Sequence, residues 1–247
     1  MRHRTPWAAT RAQRITRQSS TPLALVYSGP ASLPGCPEAV ADLLAASARG
    51  FRVDFVGPDE QWPLSAASLA EATLYAQPGG ADLEEAYRHL RPHRDTIRRF
   101  VADGGRYLGF CLGSYLAGAT PGFDLLPGDT DQYIGTSRAS VDTDRGAIVE
   151  VSWRGHRRHL YFQDGPLFQF DADADVDIQA TDPNRAVAAA VTSFGRGRVG
   201  VVGPHPEASA DWFTDAGLSD PGHHHPTPAT ARGRDLGLDL IEEVMTP

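Results

Sequence analysis

The sequence predicts an α/β fold: a doubly wound, mostly parallel sheet with an antiparallel extension. Three features carry that expectation. Short apolar runs alternate with helical segments over the first half of the chain, which is the βαβ order that gives parallel strands and right-handed crossovers. One of these runs ends abruptly in Gly109-Phe110-Cys111-Leu112-Gly113, a strand-to-helix turn. After Leu125 the helical segments stop, and short runs of alternating polarity take over, as antiparallel strands require.

Taken in order, Leu23 to Tyr27 reads as the first strand, and Pro37 to Arg49 as a helix with Pro at its start. Phe51 to Val56 and Thr73 to Gln77 are the next strands. Asp82 to Leu90 and Arg91 to Asp103 form two helical segments ahead of the Arg106 to Phe110 strand, which places Cys111 centrally. The antiparallel part comprises Gly146 to Trp153, His159 to Gln163, Val176 to Ala180 and Ala186 to Phe194, and Val199 to Val202 returns to the core. Helix Ser209 to Asp215 comes next. Thr230 to Met245 closes the chain with Leu236, Leu240 and Val244 on one apolar stripe, expected to pack on a sheet face.

Cys111 is the most informative residue. Gly two places before and two places after it is the pattern of a nucleophile elbow, where small residues relieve crowding at a strained turn. The helix that starts there aims free N–H groups and its positive dipole end at the sulfur, an arrangement suited to a reactive thiol. A reactive Cys needs a base. Far along the chain, Val201-Val202-Gly203-Pro204-His205-Pro206-Glu207 ends a second apolar strand, and in a parallel sheet His205 then emerges on the same edge as Cys111. Glu207 is placed to accept a hydrogen bond from the second ring nitrogen of His205 and fix its tautomer.

These motifs, together with Thr73-Leu74-Tyr75-Ala76-Gln77-Pro78-Gly79-Gly80, Leu126-Pro127-Gly128-Asp129 and Tyr161-Phe162-Gln163-Asp164-Gly165-Pro166, resemble the class I glutamine amidotransferase-like superfamily, of flavodoxin-like architecture. Within it the chain most resembles the group named for the N-terminal domain of biotin-protein ligase. The resemblance implies Cys111 as nucleophile, His205 as general base and acid, and Glu207 as its orienter. It further implies an oxyanion hole from the backbone N–H groups of Gly79, Gly80 and Leu112. A Gly pair after a strand agrees physically, because bare backbone aims donors at a developing negative charge.

One departure bears on substrate. Glutamine-using members carry a Gln two residues beyond the second elbow Gly, where this chain has Tyr115. The expected activity is therefore Cys-dependent hydrolysis or transfer at the carbon–nitrogen bond of an unidentified small-molecule or peptide amide. The competing reading is a non-catalytic ligand-binding or regulatory domain. Loops at the strand ends supply pocket candidates: Ser28 to Pro34, Asp129 to Tyr133 and Gln163 to Phe168. Asp131, Gln132, Gln163 and Asp164 offer hydrogen bonds to a polar substrate, with Tyr115 and Phe168 as walls. Gly195-Arg196-Gly197-Arg198 superficially matches the loop with which biotin ligases hold their adenylate, but it reads as a turn. The chain contains no lysine, so biotin ligation is not expected.

Composition narrows the remaining classes. With 247 residues at 41% hydrophobic, the chain is expected to form one domain over 21–247. A net charge of -8 with no basic stripe outside the first 20 residues argues against a nucleic-acid surface. No apolar run approaches the ~20 residues of a membrane helix. With two cysteines, Cys36 and Cys111, a disulfide scaffold is excluded and a cytoplasmic setting expected. Residues 1–20, rich in Arg and free of acid, read as a disordered tail. Neither His223-His224-His225 nor the alternating acids from Asp171 to Asp177 have metal-loop spacing, so no metal or other cofactor is expected.

Overall fold

A computed structural model describes residues 21–219 and 229–247; the Arg-rich segment 1–20 and His223-His224-His225 lie outside the described residues. Strand β1 (Leu23–Tyr27) leads through helix α1 (Cys36–Ala45) to β2 (Arg52–Val56), then through α2 (Ala66–Glu71) to β3 (Leu74–Gln77). Helices α3 (Leu83–Leu90) and α4 (Arg94–Ala102), joined by a 3-10 turn, precede β4 (Arg106–Phe110) and the short α5 (Leu112–Ala117). Strands β5 (Gly128–Gln132), β6 (Ala147–Trp153), β7 (His156–Phe162), β8 (Pro166–Phe170), β9 (Val176–Thr181), β10 (Val187–Phe194) and β11 (Gly197–Val202) come after it, then α6 (Ala210–Asp215) and α7 (Ala229–Val244).

Nine strands form one sheet in the order β2-β1-β3-β4-β11-β10-β9-β6-β7. Pairing is parallel from β2 to β11 and antiparallel from β11 to β7, as the change of sequence pattern predicts. Side chains alternate across the parallel strands. Ala24, Val26, Leu108 and Phe110 face a core completed by α1 and α7, whereas Leu25, Tyr27, Tyr75 and Tyr107 face the core on the other side, with Leu90, Ile97 and Leu116. Helices therefore cover both faces. Leu236, Leu240 and Val244 of α7 are buried against the sheet, as the closing stripe requires.

Three local readings change. Asp129 to Tyr133 and Gln163 to Phe168 are not simply loops: β5 and β8 pair antiparallel in a small second sheet, Gly128 opposite Phe170 and Gln132 opposite Pro166. The run Gly128-Asp129-Thr130-Asp131-Gln132 has no apolar alternation of its own, so its strand depends on the partner. Helix α1 stops at Ala45 instead of Arg49, because Ser47 Oγ accepts from Arg49 N–H and Gly50 turns the chain at φ 64°. Helix α2 was not legible; its single turn is held by Ser65 and Ser68, whose hydroxyls each accept from the other's backbone N–H.

Candidate active site

The sheet register brings the two chemistry-bearing strand ends together. Phe110 pairs with Val202, so β4 and β11 release Cys111 and His205 side by side at their carboxyl ends. Cys111 itself sits at φ 46° and ψ -105°, a strained conformation for a residue with a Cβ. Its N–H donates to Val202 O at 2.9 Å, and Ser114 Oγ accepts from Val202 N–H at 2.9 Å while lying 2.8 Å from the Gly109 carbonyl. The flanking glycines are required by close approach. A Cβ on Gly113 would overlap the Gln77 carbonyl oxygen, and one on Gly109 would sit 2.5 Å from the Gly113 carbonyl oxygen.

His205 is fastened on both sides. Its N–H donates to Tyr161 O at 2.8 Å, and its Nδ1 lies 2.8 Å from Glu207 Oε1. Both side chains are nearly inaccessible, at 4% and 0% exposure. Burial by itself pushes the imidazole pKa down, but the Glu207 carboxylate and the Cys111 sulfur outweigh it and lift it to about 10. The ring is thus an imidazolium at neutral pH, with Nδ1–H donating to Glu207. Trp212 from α6 meets it edge-on at 5.1 Å, and Tyr161 at 5.8 Å.

Cys111 Sγ lies 3.4 Å from Gln163 O. Gly79 stands against both groups: a Cβ there would lie 3.2 Å from His205 Cε1 and 3.9 Å from Cys111 Cβ. Gly80 packs so closely on Leu112 that its Cβ would overlap the Leu112 side chain. A cavity of about 270 Å³ opens here, and Gly79, Gly80, Cys111, Leu112, Tyr115, Gln163, Asp164 and His205 all line it. Glu207 lies behind His205.

The remaining expected contacts fall elsewhere. Asp131 and Gln132 are exposed on β5 and do not line the cavity; Gln132 Nε2 instead donates to both Asp164 oxygens, at 3.0 and 3.2 Å. Phe168 is buried on β8, stacked on Phe170. Gly195-Arg196-Gly197-Arg198 forms the turn from β10 into β11, with Gly195 at φ 61°, and lies away from the cavity. Among the described residues no group of three or more His, Cys, Asp or Glu is arranged to hold a metal, and no helix is long and apolar enough to cross a membrane.

With this geometry in place, likeness to known proteins can be read. Residues 24–139 match the family described as "Biotin-protein ligase, N terminal". The matched segment is a little under half of the chain. The biotin–protein ligase of Schizosaccharomyces pombe is 30% identical over 182 residues, covering 62% of this chain; the chain spans 27% of that ligase's length. A glutamine amidotransferase structure from Thermotoga maritima superposes with a TM-score of 0.59 at 15% identity, covering 92% of this chain and 100% of that one. Another glutamine amidotransferase structure gives 0.57 at 16% identity, over 79% of this chain and 99% of the other. The fold is that of the class I glutamine amidotransferase-like proteins.

The cavity residues that the sequence did not single out include Cys36, Trp212 and Asp144. Cys36 stands at the start of α1, its Sγ 3.3 Å from the position a Gly79 Cβ would take. Burial, then the charges of Glu207 and Cys111, push its thiol pKa up to about 12. Its signal was its place at the helix start after β1, on the same sheet edge as Cys111. Trp212 had a weaker signal, a helix beginning just after the His205 motif. Asp144 had none: it reaches the cavity from the loop before β6.

Proposed function

We propose that this chain is a cysteine-nucleophile amidase or amidotransferase-like hydrolase acting on the carbon–nitrogen bond of a small-molecule or peptide amide. The observation that carries the reading is the buried His205–Glu207 pair beside a strained Cys111 at the mouth of one cavity. Cys111, its proton resting on His205, exchanges its contact with the Gln163 carbonyl for the amide carbon. A sulfur–carbon bond forms, and the oxyanion is held by N–H groups of Gly80 and Leu112, with Gly79 leaving room for it. His205 then gives its Nε2 proton to the leaving amine as the carbon–nitrogen bond breaks. It next takes a proton from water, whose oxygen attacks the thioester, releasing the acid and leaving the sulfur free with the proton again on His205. Glu207 keeps the ring oriented throughout. Two unpaired thiols suit a reducing, cytoplasmic setting.

Tyr115 favours an amide other than free glutamine. Its ring lines the cavity and its hydroxyl donates to Gly165 O at 3.2 Å, so it takes the position of a Gln found in glutamine-using members. The same residue supports the second reading, a ligand-binding domain that keeps the elbow for structural reasons. Labelling with electrophilic amide and glutamine analogues separates the two. Adduct formation at Cys111 much faster than at a simple thiol, lost in Cys111→Ala, is the expected result. A wild-type protein that labels no faster than a simple thiol overturns the catalytic reading.

A further inference from the structure

The cavity has a one-sided charge. Among the described residues, Asp144 and Asp164 line it, no Arg does so, and the one cationic group, His205, is already matched by Glu207. Asp144 is exposed, whereas Asp164 is half-buried and held in place. Asp164 follows β7 at φ 47°, one of few residues outside Gly in that region, and its oxygens are gripped by Gln132 Nε2. Its charge reaches inward: together with burial it raises the phenol pKa of Tyr115, whose ring forms a neighbouring wall. Trp212 supplies a second aromatic wall, over His205.

Aromatic faces beside carboxylates attract an ammonium or guanidinium and repel a carboxylate. A free amino acid amide such as glutamine carries a carboxylate beside its ammonium, and among the described residues that carboxylate meets no unmatched cation to receive it. We propose that the site selects amides bearing a positive charge close to the scissile bond, and discriminates against those bearing a negative one. This rests on the catalytic reading above only for turnover; charge preference in binding stands without it.

The test uses three 2-chloro-N-alkylacetamides with the same four-carbon arm, ending in ammonium, methyl or carboxylate. Cys111 displaces chloride and a sulfur–carbon bond forms, chloride leaving as the anion while His205 keeps its proton. Rates are normalised to reaction with 2-mercaptoethanol. A unit charge a few ångströms from one held carboxylate in a half-wet site changes the rate by about tenfold. The ammonium probe is therefore expected to label Cys111 at least about tenfold faster than the carboxylate probe, with the methyl probe between. The gap should narrow at high salt, in Asp144→Asn and in Asp164→Asn, since Asn tolerates the positive φ of the latter position.

Equal normalised rates for the three probes, or fastest reaction of the carboxylate probe, overturn the charge preference while leaving the nucleophile intact. If no probe outpaces its reaction with 2-mercaptoethanol, the catalytic reading fails instead. Charge preference is then decided by calorimetry on Cys111→Ala with N-(4-aminobutyl)acetamide and 4-acetamidobutanoate. Tighter binding of the cation upholds it, and equal or tighter binding of the anion ends it.

Discussion

Replacing Glu207 with Gln removes the charge that His205 faces while keeping the shape of the side chain. In the parent the two are 2.8 Å apart and almost fully buried, and the imidazole pKa rises from 6.5 to about 10 against the opposing pull of burial. At 1.36 kcal/mol per unit, that rise sets a ceiling of about 5 kcal/mol on its contribution to stability. Glu207 supplies only part of it, and hydrogen bonds to charged groups contribute about 1.5–3 kcal/mol, so Glu207→Gln should destabilise by about 2–3 kcal/mol near neutral pH. The sign of the pH dependence comes from the direction of the shift. With the folded pKa above the unfolded one, the parent's advantage is complete below pH 6.5 and fades as pH climbs through about 10. Denaturant unfolding of both proteins across this window measures it. Labelling of Cys111 should also fall by about a hundredfold or more as the imidazole loses its orienting partner. A stability gap that stays constant from pH 6.5 to about 10 would refute the claim that the carboxylate holds an imidazolium.

Further substitutions probe the elbow and its surroundings. Gly113→Ala forces a Cβ into the Gln77 carbonyl oxygen and to 2.8 Å from its carbon, backbone that cannot swing aside; a loss of about 3 kcal/mol is expected in thermal unfolding, and parent-like stability would contradict it. Gly79→Ala introduces only tight contacts, 3.2 Å to His205 Cε1 and 3.3 Å to Cys36 Sγ, so the fold should survive with a loss of about 1 kcal/mol or less. Its Cys111 labelling rate should nevertheless drop about tenfold, since the added methyl sits between base and nucleophile. Cys36, with its thiol pKa pushed to about 12, should stay unmodified by iodoacetamide at pH values where Cys111 reacts. Intact mass spectrometry then shows one adduct, absent in Cys111→Ala, and a second adduct at a comparable rate would count against the assignment.

How much of this was legible varies with how local the cause is. The parallel core could be read because each strand carries its own apolar run and each crossover its own helix, and β4 announces its elbow through the glycines at 109 and 113. The Cys111–His205–Glu207 constellation was legible for the same reason: each member lies next to a strand end, and the register of β4 against β11 does the rest. Strand β5 was not, because Asp129, Thr130, Asp131 and Gln132 form a ladder only when β8 is beside them. That error carried into the site. Read as a loop, Asp131 and Gln132 were free to reach substrate; as a strand, they project from a second sheet, and Gln132 acts through Asp164. Asp144 and Trp212 reach the cavity by tertiary packing that no local pattern encodes.

The cavity divides along the same line. Its Cys111 side, Cys36, Gly79, Gly80, Cys111, Leu112 and Tyr115, falls within residues 24–139, the segment that matches the biotin-protein ligase N-terminal family. Its other side, Asp144, Gln163, Asp164, His205 and Trp212, comes from beyond that segment, on the antiparallel extension and on the stretch between β11 and the end of α6. The register of β4 against β11 fixes where His205 stands relative to Cys111. The charge of the cavity rests on two connections, the loop before β6 and the turn after β7, which can change without disturbing a core strand. Substrate choice in relatives of this chain is therefore expected to vary with the residues at positions 144 and 164, while Cys111, His205 and Glu207 answer to the geometry of the sheet edge.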